Sequence, residues 1–366
     1  MLFAATHPCY TFSSSGGDVK ALVGVDIGGT KTAVVVARLT DGRPQILDRQ
    51  AFPTERDHGP GPVIDRIRTT TRALLAARSM GADGLAGIGI SCGGPLDSRA
   101  GIVLAPPNLP GWDRIPVVEL LSRALDAPAR LQNDANACAV AEWRFGAGSG
   151  CRTMVFLTFG TGMGAGLILD GRLYEGPSGL AGEVGHVRLA EDGPEGYGKR
   201  GSFEGFCSGG GIARLARAEA ERLIAAGEPP SFCQDPDGLD GITAQTIAEA
   251  AVRGDVSARR VLAESGRWLG RGLAVLVDVL NPERIVIGSI FARCRRFLEP
   301  TMREELEREA LRPSASACTV VPAGLGEAIG DWASLVLAMS AAGVAVETSD
   351  QPVERAPVHE NAPEEG

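Results

Sequence analysis

The sequence predicts an α/β fold made of two related domains. Apolar segments rich in Val and Ile alternate with helix-patterned segments along most of the 366 residues, and this alternation is typical of α/β architectures. The clearest helical patterns lie at 65–78, 117–125, 136–144, 212–226 and 256–280. A glycine-rich turn between two apolar strands occurs near the start of the chain and again near its middle. With 44% hydrophobic residues, the chain can bury a core in each of two domains of ordinary size.

The first glycine-rich turn has the sequence DIGGTK and joins strands predicted over 21–25 and 33–37. Paired glycines let the backbone turn sharply and bring its amides close to anionic oxygens. A plain hairpin explains the glycines equally well, but it does not explain the hydroxyl of Thr30 and the positive charge of Lys31 beside them. Asp26 ends the first strand, where we expect it to meet a phosphate-bound Mg²⁺ through water. The predicted phosphate contacts are Gly28, Gly29, Thr30 and Lys31.

The second glycine-rich turn lies in TMVFLTFGTGMGAGLILDG, residues 153–171, again between two apolar strands. Neither turn has the lysine and spacing of a Walker loop, and neither opens a helix as a dinucleotide fingerprint does. Two strand-turn-strand segments of this kind indicate two domains that face each other across a nucleotide. The predicted contacts in the second turn are Gly160, Thr161, Gly162 and Gly164.

The bulk composition excludes several classes of partner. A net charge of −9 and a pI near 5.2 argue against a nucleic-acid surface, because phosphate-backbone binding needs clustered Lys and Arg. No run of about 18 apolar residues is present, so we expect no membrane span. The eight cysteines are scattered, several within apolar segments, which favours reduced thiols and a cytoplasmic location.

Three segments, in order, look like the phosphate and adenosine segments of the actin-like sugar-kinase superfamily. They are DIGGTK, LTFGTGMGAGLILDG and NPERIVIGS, the last at 281–289. Within that superfamily the chain resembles the ROK family (repressors, open reading frames and kinases) over roughly residues 20–340. The motifs that carry this resemblance are GIGISCGGPLD at 87–97, NLPGW at 108–112, QNDANACAVAEWRFG at 132–146 and GLAGEVGHVRL at 179–189.

The resemblance implies a two-domain actin-like ATPase (ribonuclease H-like) fold with a nucleotide and sugar cleft between the domains. It also implies a homodimer that uses ATP and Mg²⁺ to phosphorylate a hexose or N-acetylated hexosamine, commonly at the 6-hydroxyl. We expect a flexible extension over 1–18 and an N-terminal domain over 19–132 that includes a returning helix at 327–345. The remaining expectations are a C-terminal domain over 133–326 and a disordered acidic tail over 346–366.

Asp134 matches the family's general base, which takes the proton from the attacking hydroxyl, and Asn133 is expected to orient the sugar. Asp and Asn are also common helix N-caps, so capping is the alternative explanation of this pair. The resemblance assigns Gly288 to the adenosine. It implies further sugar contacts at Gly94, Asn108, Glu183, His186 and Glu204, although a lone histidine is often structural and Gly94 also suits a plain turn.

The chain departs from the family where many members carry C-x-C-G-x-x-G-C-x-E, whose thiolates hold a structural zinc together with the GxxGExGH histidine. The corresponding run is EGYGKRGSFE, with Glu195, Tyr197 and Ser202 at the cysteine positions. Tyr and Ser are poor zinc ligands at neutral pH. The sequence therefore predicts no structural zinc.

The leading interpretation is a kinase of glucose or a close relative, with no nucleic acid or membrane partner. The alternatives are an N-acetylmannosamine, N-acetylglucosamine or fructose kinase of the same family. Another class is a non-catalytic sugar sensor or ROK-type regulator, although only about twenty residues precede the first predicted strand, too few for a helix-turn-helix domain. The sequence does not identify the sugar or distinguish ATP from polyphosphate as the donor.

Overall fold

The computed structural model describes residues 21–81 and 84–344. The extension expected over 1–18 and the acidic tail expected over 346–366 lie outside the described residues. The described chain forms two five-stranded sheets with the same arrangement of strands, each flanked by helices. The predicted α/β class is therefore confirmed.

The first sheet has the strand order β3-β2-β1-β4-β7. β1 pairs antiparallel with β2 and parallel with β4, and β4 continues parallel to β7. β5 and β6 form a separate small hairpin. The strands of this half, in chain order, are β1 (Ala21–Ile27), β2 (Lys31–Thr40), β3 (Arg43–Pro53), β4 (Leu85–Cys92), β5 (Leu96–Asp97), β6 (Ile102–Val103) and β7 (Ala129–Asn133).

The second sheet has the order β10-β9-β8-β13-β14, and its pairing directions repeat those of the first sheet. The turn between β8 and β9 is therefore equivalent to the turn between β1 and β2, as the two glycine-rich segments predict. The strands of this half are β8 (Met154–Leu157), β9 (Ala165–Leu169), β10 (Arg172–Tyr174), β11 (Glu195–Gly196), β12 (Lys199–Arg200), β13 (Arg284–Ile287) and β14 (Thr319–Pro322).

The helices predicted over 117–125 and 256–280 have those bounds, whereas the helices predicted from 65, 136 and 212 begin at 60, 134 and 209. The side chains of Asn133 and Ser208 cap the helices that follow them. The helices predicted from 136 and 212 therefore begin before their first apolar-periodic residue. The helices are α1 (Pro60–Ala77), α2 (Val117–Leu125), α3 (Asp134–Phe145), α4 (Phe203–Cys207), α5 (Gly209–Ala225), α6 (Ala244–Arg253), α7 (Val256–Leu280), α8 (Ile290–Glu309), α9 (Arg312–Ala317) and α10 (Ile329–Ala341).

The last helix, α10, follows the second sheet in sequence but packs on the first sheet, against β1 and β4, and on α3. Its backbone lies so close to the sheet that a Cβ at Gly87 or Gly89 would collide with α10 carbonyl oxygens. Side chains of α3 and α10 share one apolar cluster with β8 and β13, including Trp143, Phe156 and Val336. The two helices therefore join the two halves.

Two observations concern the predictions of reduced thiols and of no membrane span. All seven cysteines in the described residues are free thiols, and six of them are buried. Within residues 21–81 and 84–344, no helix is both long enough and apolar enough to cross a membrane.

Candidate active site

The N-terminus of α3 places Asn133 and Asp134 where the first sheet ends. The side-chain oxygen of Asn133 accepts a hydrogen bond from the N–H of Ala135 at 3.0 Å, so Asn133 is the N-cap. Asp134 is the first helical residue, and its Oδ1 accepts from the same N–H at 2.8 Å. The capping role considered for Asp134 thus belongs to Asn133, whose amide Nδ2 lies on the Gly94 side.

A polar network behind this pair fixes its backbone. Gln132, which is 4% exposed, accepts a hydrogen bond from the Asn133 N–H at 2.8 Å and donates to Glu175 at 2.9 Å. The same Glu175 oxygen accepts from the Ser98 hydroxyl at 3.1 Å. Because Glu175 follows β10 of the second sheet, this network ties the start of α3 to both halves of the molecule.

Asp26 is the penultimate residue of β1 and faces a group of like charges. Its pKa is raised to about 6, first by burial and then by the nearby carboxylates of Asp134 and Asp331, while Lys31 and Arg49 act in the opposite direction. No group of the described residues donates a hydrogen bond to its carboxylate. A carboxylate with surplus negative charge around it and no protein donor suits a divalent cation.

Asp331 is itself held by an arginine. Arg49 on β3 donates its Nε–H to both Asp331 oxygens, at 2.9 and 2.8 Å, and Asp331 is 8% exposed. Gly330 precedes it, and a Cβ there would lie 2.6 Å from Oδ2 of Asp26. The first turn of α10 therefore forms one wall beside Asp26.

Asp134 is exposed to water over part of its surface, but protein groups surround much of its carboxylate. This burial raises its pKa, and the hydrogen bond from the Ala135 N–H offsets part of the rise. A carboxylate with a raised pKa is a stronger base than an ordinary aspartate. Its position at the end of the first sheet leaves one face available to a ligand.

Three predicted sugar contacts from the second half lie near Asp134. Burial raises the pKa of Glu183, and Asp134 and Glu204 raise it further, whereas His186 lowers it. Glu204 Oε2 accepts the Met163 N–H at 3.0 Å, so this carboxylate touches the second glycine-rich turn. The structure brings Asp134, Glu183, His186 and Glu204 into one region.

Gly94 and Asn108 lie near the same region, on the side of the first sheet. A Cβ at Gly94 would be 3.3 Å from Asn133 Nδ2, and one at Gly29 would be 2.7 Å from the Asn108 carbonyl oxygen. Asn108 is exposed. Trp112 of the same NLPGW motif is instead 0% exposed and belongs to the first-half core, so it does not line the cleft.

A cavity of about 1110 Å³ opens beside the second turn. This volume is enough for a nucleotide, because ligand sites usually measure about 300–1,000 Å³. The predicted residues Gly160 and Thr161 line it. Gly288 is buried directly before Ser289, which lines the cavity, and Ser289 has a φ of 50° where a glycine would be unstrained.

Sequence reasoning missed several walls of this cavity. Gly209 and Gly210 at the start of α5 line it, together with α6 residues such as Gln245 and the α8 residue Arg293. The run of three glycines after Ser208 was the available signal, because a glycine-rich helix N-terminus suits phosphate. Nothing local marked α6.

The segment that departs from the zinc pattern forms the β11–β12 hairpin and the start of α4. The Ser202 hydroxyl accepts the Gly205 N–H at 3.1 Å and caps α4. Within the described residues, no three His, Cys, Asp or Glu side chains are grouped as a metal site. The absence of zinc stays a prediction.

We expect Asp26→Asn to be more stable than the wild type at pH 7.5 without Mg²⁺, by about 1–3 kcal/mol. The folded-state pKa of about 6 lies above the ordinary 3.8, so ionisation costs folding free energy. That cost is full above pH 6 and disappears as the pH falls from 6 to 4. Thermal unfolding across this range measures the difference between variant and wild type.

The matched control is Asp41→Asn, at an exposed turn position with φ 50° that suits both residues. It should change the midpoint little at any pH. If the stability difference between Asp26→Asn and the wild type did not vary between pH 4 and 7.5, ionisation of Asp26 would not be its cause.

The chain is similar in sequence and in fold to known sugar kinases. The model of the ROK family matches residues 22–340. A glucokinase of Halalkalibacterium halodurans is 31% identical over 310 residues, 84% of this chain and 92% of that protein. An N-acetylmannosamine kinase of Escherichia coli is 34% identical over 265 residues, 72% of this chain and 81% of that protein. The structure of a Streptomyces griseus ROK family glucokinase in complex with glucose and AMPPNP matches with a TM-score of 0.69 and 30% identity, covering 87% of this chain and 99% of that one.

Proposed function

Because the chain belongs to the ROK family, we propose that it is an ATP-dependent sugar kinase that phosphorylates glucose or a close relative at the 6-hydroxyl. The observation that carries this proposal is the position of Asp134. It stands at the end of the first sheet, beside the carboxylates and imidazole of the second half and near both glycine-rich turns. A general base is useful only where the acceptor alcohol and the phosphate donor can meet.

The residues of this chain divide the work of phosphoryl transfer. Asp134 accepts the proton of the attacking hydroxyl, and burial has already raised its pKa. The amide of Asn133 together with Glu183, His186 and Glu204 hydrogen-bonds the sugar hydroxyls, which are both donors and acceptors. The Gln132–Glu175 network keeps the start of α3 in place. Gly94 and Asn108 form the remaining side of the sugar site.

The two glycine-rich turns and the cavity beside the second one are suited to bind the phosphoryl donor, ATP. ATP supplies the phosphoryl group and Mg²⁺ neutralises charge on it when both are bound. We propose that Gly28, Gly29, Thr30 and Lys31 hold phosphate from one side and Gly160, Thr161, Gly162 and Gly164 from the other, with adenosine near Gly288 in the 1110 Å³ cavity. Asp26 is suited to hold Mg²⁺ through water, because no residue in 21–81 or 84–344 donates a hydrogen bond to its carboxylate.

Further expectations belong to the same proposal. We propose a domain division after residue 132, with α10 returning to the N-terminal domain, and a cytoplasmic homodimer without structural zinc. The packing of α10 on β1 and β4 supports the first point. The free, mostly buried cysteines support a reducing compartment.

A panel of hexoses and hexosamines with Mg²⁺ and either ATP or polyphosphate tests the function, with release of ADP or sugar phosphate as the readout. We expect glucose to give the highest kcat/KM with ATP. N-acetylmannosamine is the second candidate, because the Escherichia coli N-acetylmannosamine kinase is 34% identical, and a higher kcat/KM for it would select that function. Sugar binding without turnover on the whole panel would favour a sensor.

A further inference from the structure

The turn of the β11–β12 hairpin holds an aromatic residue in an unfavourable backbone conformation. Tyr197 has a φ of 45° and Gly198 a φ of 74°. Two-residue turns with positive φ at both positions favour Asn, Asp or Gly, since a side chain such as tyrosine crowds the backbone there. An aromatic residue retained at such a position calls for a functional explanation.

The tyrosine ring contacts His186. The two ring centroids are 5.2 Å apart with an interplanar angle of 75°, an edge-to-face arrangement. Aromatic pairs favour this geometry because a positive ring edge meets a negative ring face. The next residue of the hairpin, Lys199, donates its Nζ–H to the His186 carbonyl oxygen at 2.7 Å. The hairpin thus holds both the ring and the backbone of His186.

This contact lies outside the hydrophobic core. Tyr197 is 64% exposed and His186 is also exposed, so burial does not explain why the two rings meet. His186 also lies close enough to Glu183 to lower the pKa of that carboxyl. The imidazole therefore contacts the hairpin and lies near one carboxylate of the proposed sugar site.

We propose that Tyr197 is a positioning residue that holds the His186 imidazole in the orientation that the sugar requires. This inference rests on the proposed sugar site. The ring of Tyr197, rather than its hydroxyl, does the positioning, because the observed contact is ring to ring. The strained turn is the cost of placing an aromatic side chain within reach of His186.

Two substitutions separate positioning from folding. Tyr197→Asn keeps a residue that tolerates positive φ but removes the ring, and Tyr197→Phe keeps the ring. We expect Tyr197→Asn to raise the KM for the sugar about 3- to 10-fold, with the KM for ATP unchanged and the unfolding midpoint equal or higher. Tyr197→Phe should restore the wild-type KM. Glu195→Gln, in the same hairpin, is the matched control and should change none of these values.

A second readout does not depend on activity. The ring protons of His186, assigned by their loss in His186→Gln, should shift in the NMR spectrum of Tyr197→Asn and keep their wild-type positions in Tyr197→Phe. An unchanged sugar KM in Tyr197→Asn, or an equal KM increase in Tyr197→Phe, would overturn the proposal. So would a lowered unfolding midpoint in Tyr197→Asn. If the wild type phosphorylates no sugar, the proposed function fails, whereas the NMR comparison still reports the ring contact.

Discussion

Replacing Asp134 by asparagine is expected to lower kcat by about 10²- to 10⁴-fold, the usual contribution of a general base. The amide of asparagine has nearly the same shape but cannot accept the proton of the attacking hydroxyl. Sugar affinity should change much less, because the Asn133 cap, Glu183, His186 and Glu204 remain. Steady-state kinetics with the best sugar of the panel, together with calorimetric sugar binding, measure both effects.

The pH profile gives an independent check on the same residue. Burial raises the pKa of Asp134. As the pH falls, its carboxylate is therefore protonated, and stops acting as a base, at a higher pH than the carboxylate of an ordinary aspartate. The wild-type kcat/KM should therefore fall as the pH is lowered. The residual activity of Asp134→Asn should not show the fall that protonation of Asp134 causes.

Asp126→Asn provides the matched control for Asp134→Asn, since Asp126 is the exposed C-cap residue that follows α2, with a φ of 51°, and asparagine tolerates that conformation. Its kinetics should be those of the wild type. Near-normal turnover in Asp134→Asn would exclude Asp134 as the base.

The largest stability loss is expected for Glu142→Ala, at about 3–5 kcal/mol. Glu142 lies in α3 with no exposed surface. Its carboxylate accepts the N–H groups of Ala147 at 2.7 Å, Gly324 at 3.0 Å and Leu325 at 2.9 Å. Alanine would leave three half-buried or exposed backbone donors without this partner and a cavity where the fully buried carboxylate packs. Thermal and urea unfolding measure the loss.

The position of Glu142 explains why this effect should be large. Its three partners lie in the loop after α3 and in the segment between β14 and α10, so one side chain fixes both helices that join the halves. Glu119→Ala is the control, because Glu119 forms an exposed ion pair with Arg123, and such pairs contribute about 0–1 kcal/mol. Equal unfolding midpoints for the two variants would show that the Glu142 hydrogen bonds add little.

Much of the fold and part of the site could be predicted from local patterns. The bounds of α2 and α7 follow from helical periodicity, and the strands around both glycine-rich turns follow from short β-branched runs. The equivalence of the two turns follows from their shared chemistry, and the two sheets confirm it. α3 begins earlier than periodicity indicates because a cap residue, not an apolar one, starts it.

The contacts that hold the site in place were not predictable in this way. Arg49 meets Asp331 from 282 positions away, and Gln132 meets Glu175 from the other half of the chain. No local pattern marks either pair, since each partner looks like an ordinary polar residue of its own element. Only the fold brings α10 beside Asp26 and α6 beside Gly160.

The sequence by itself determined the α/β class, the paired phosphate-type turns and the residue types of the proposed base and sugar contacts. These depend on local propensity and on chemistry carried by short segments. The tertiary structure alone decided which of Asn133 and Asp134 caps α3, that Trp112 is a core residue and that Tyr197 meets His186. Those outcomes depend on burial and on distances between segments far apart in the chain, which only packing sets.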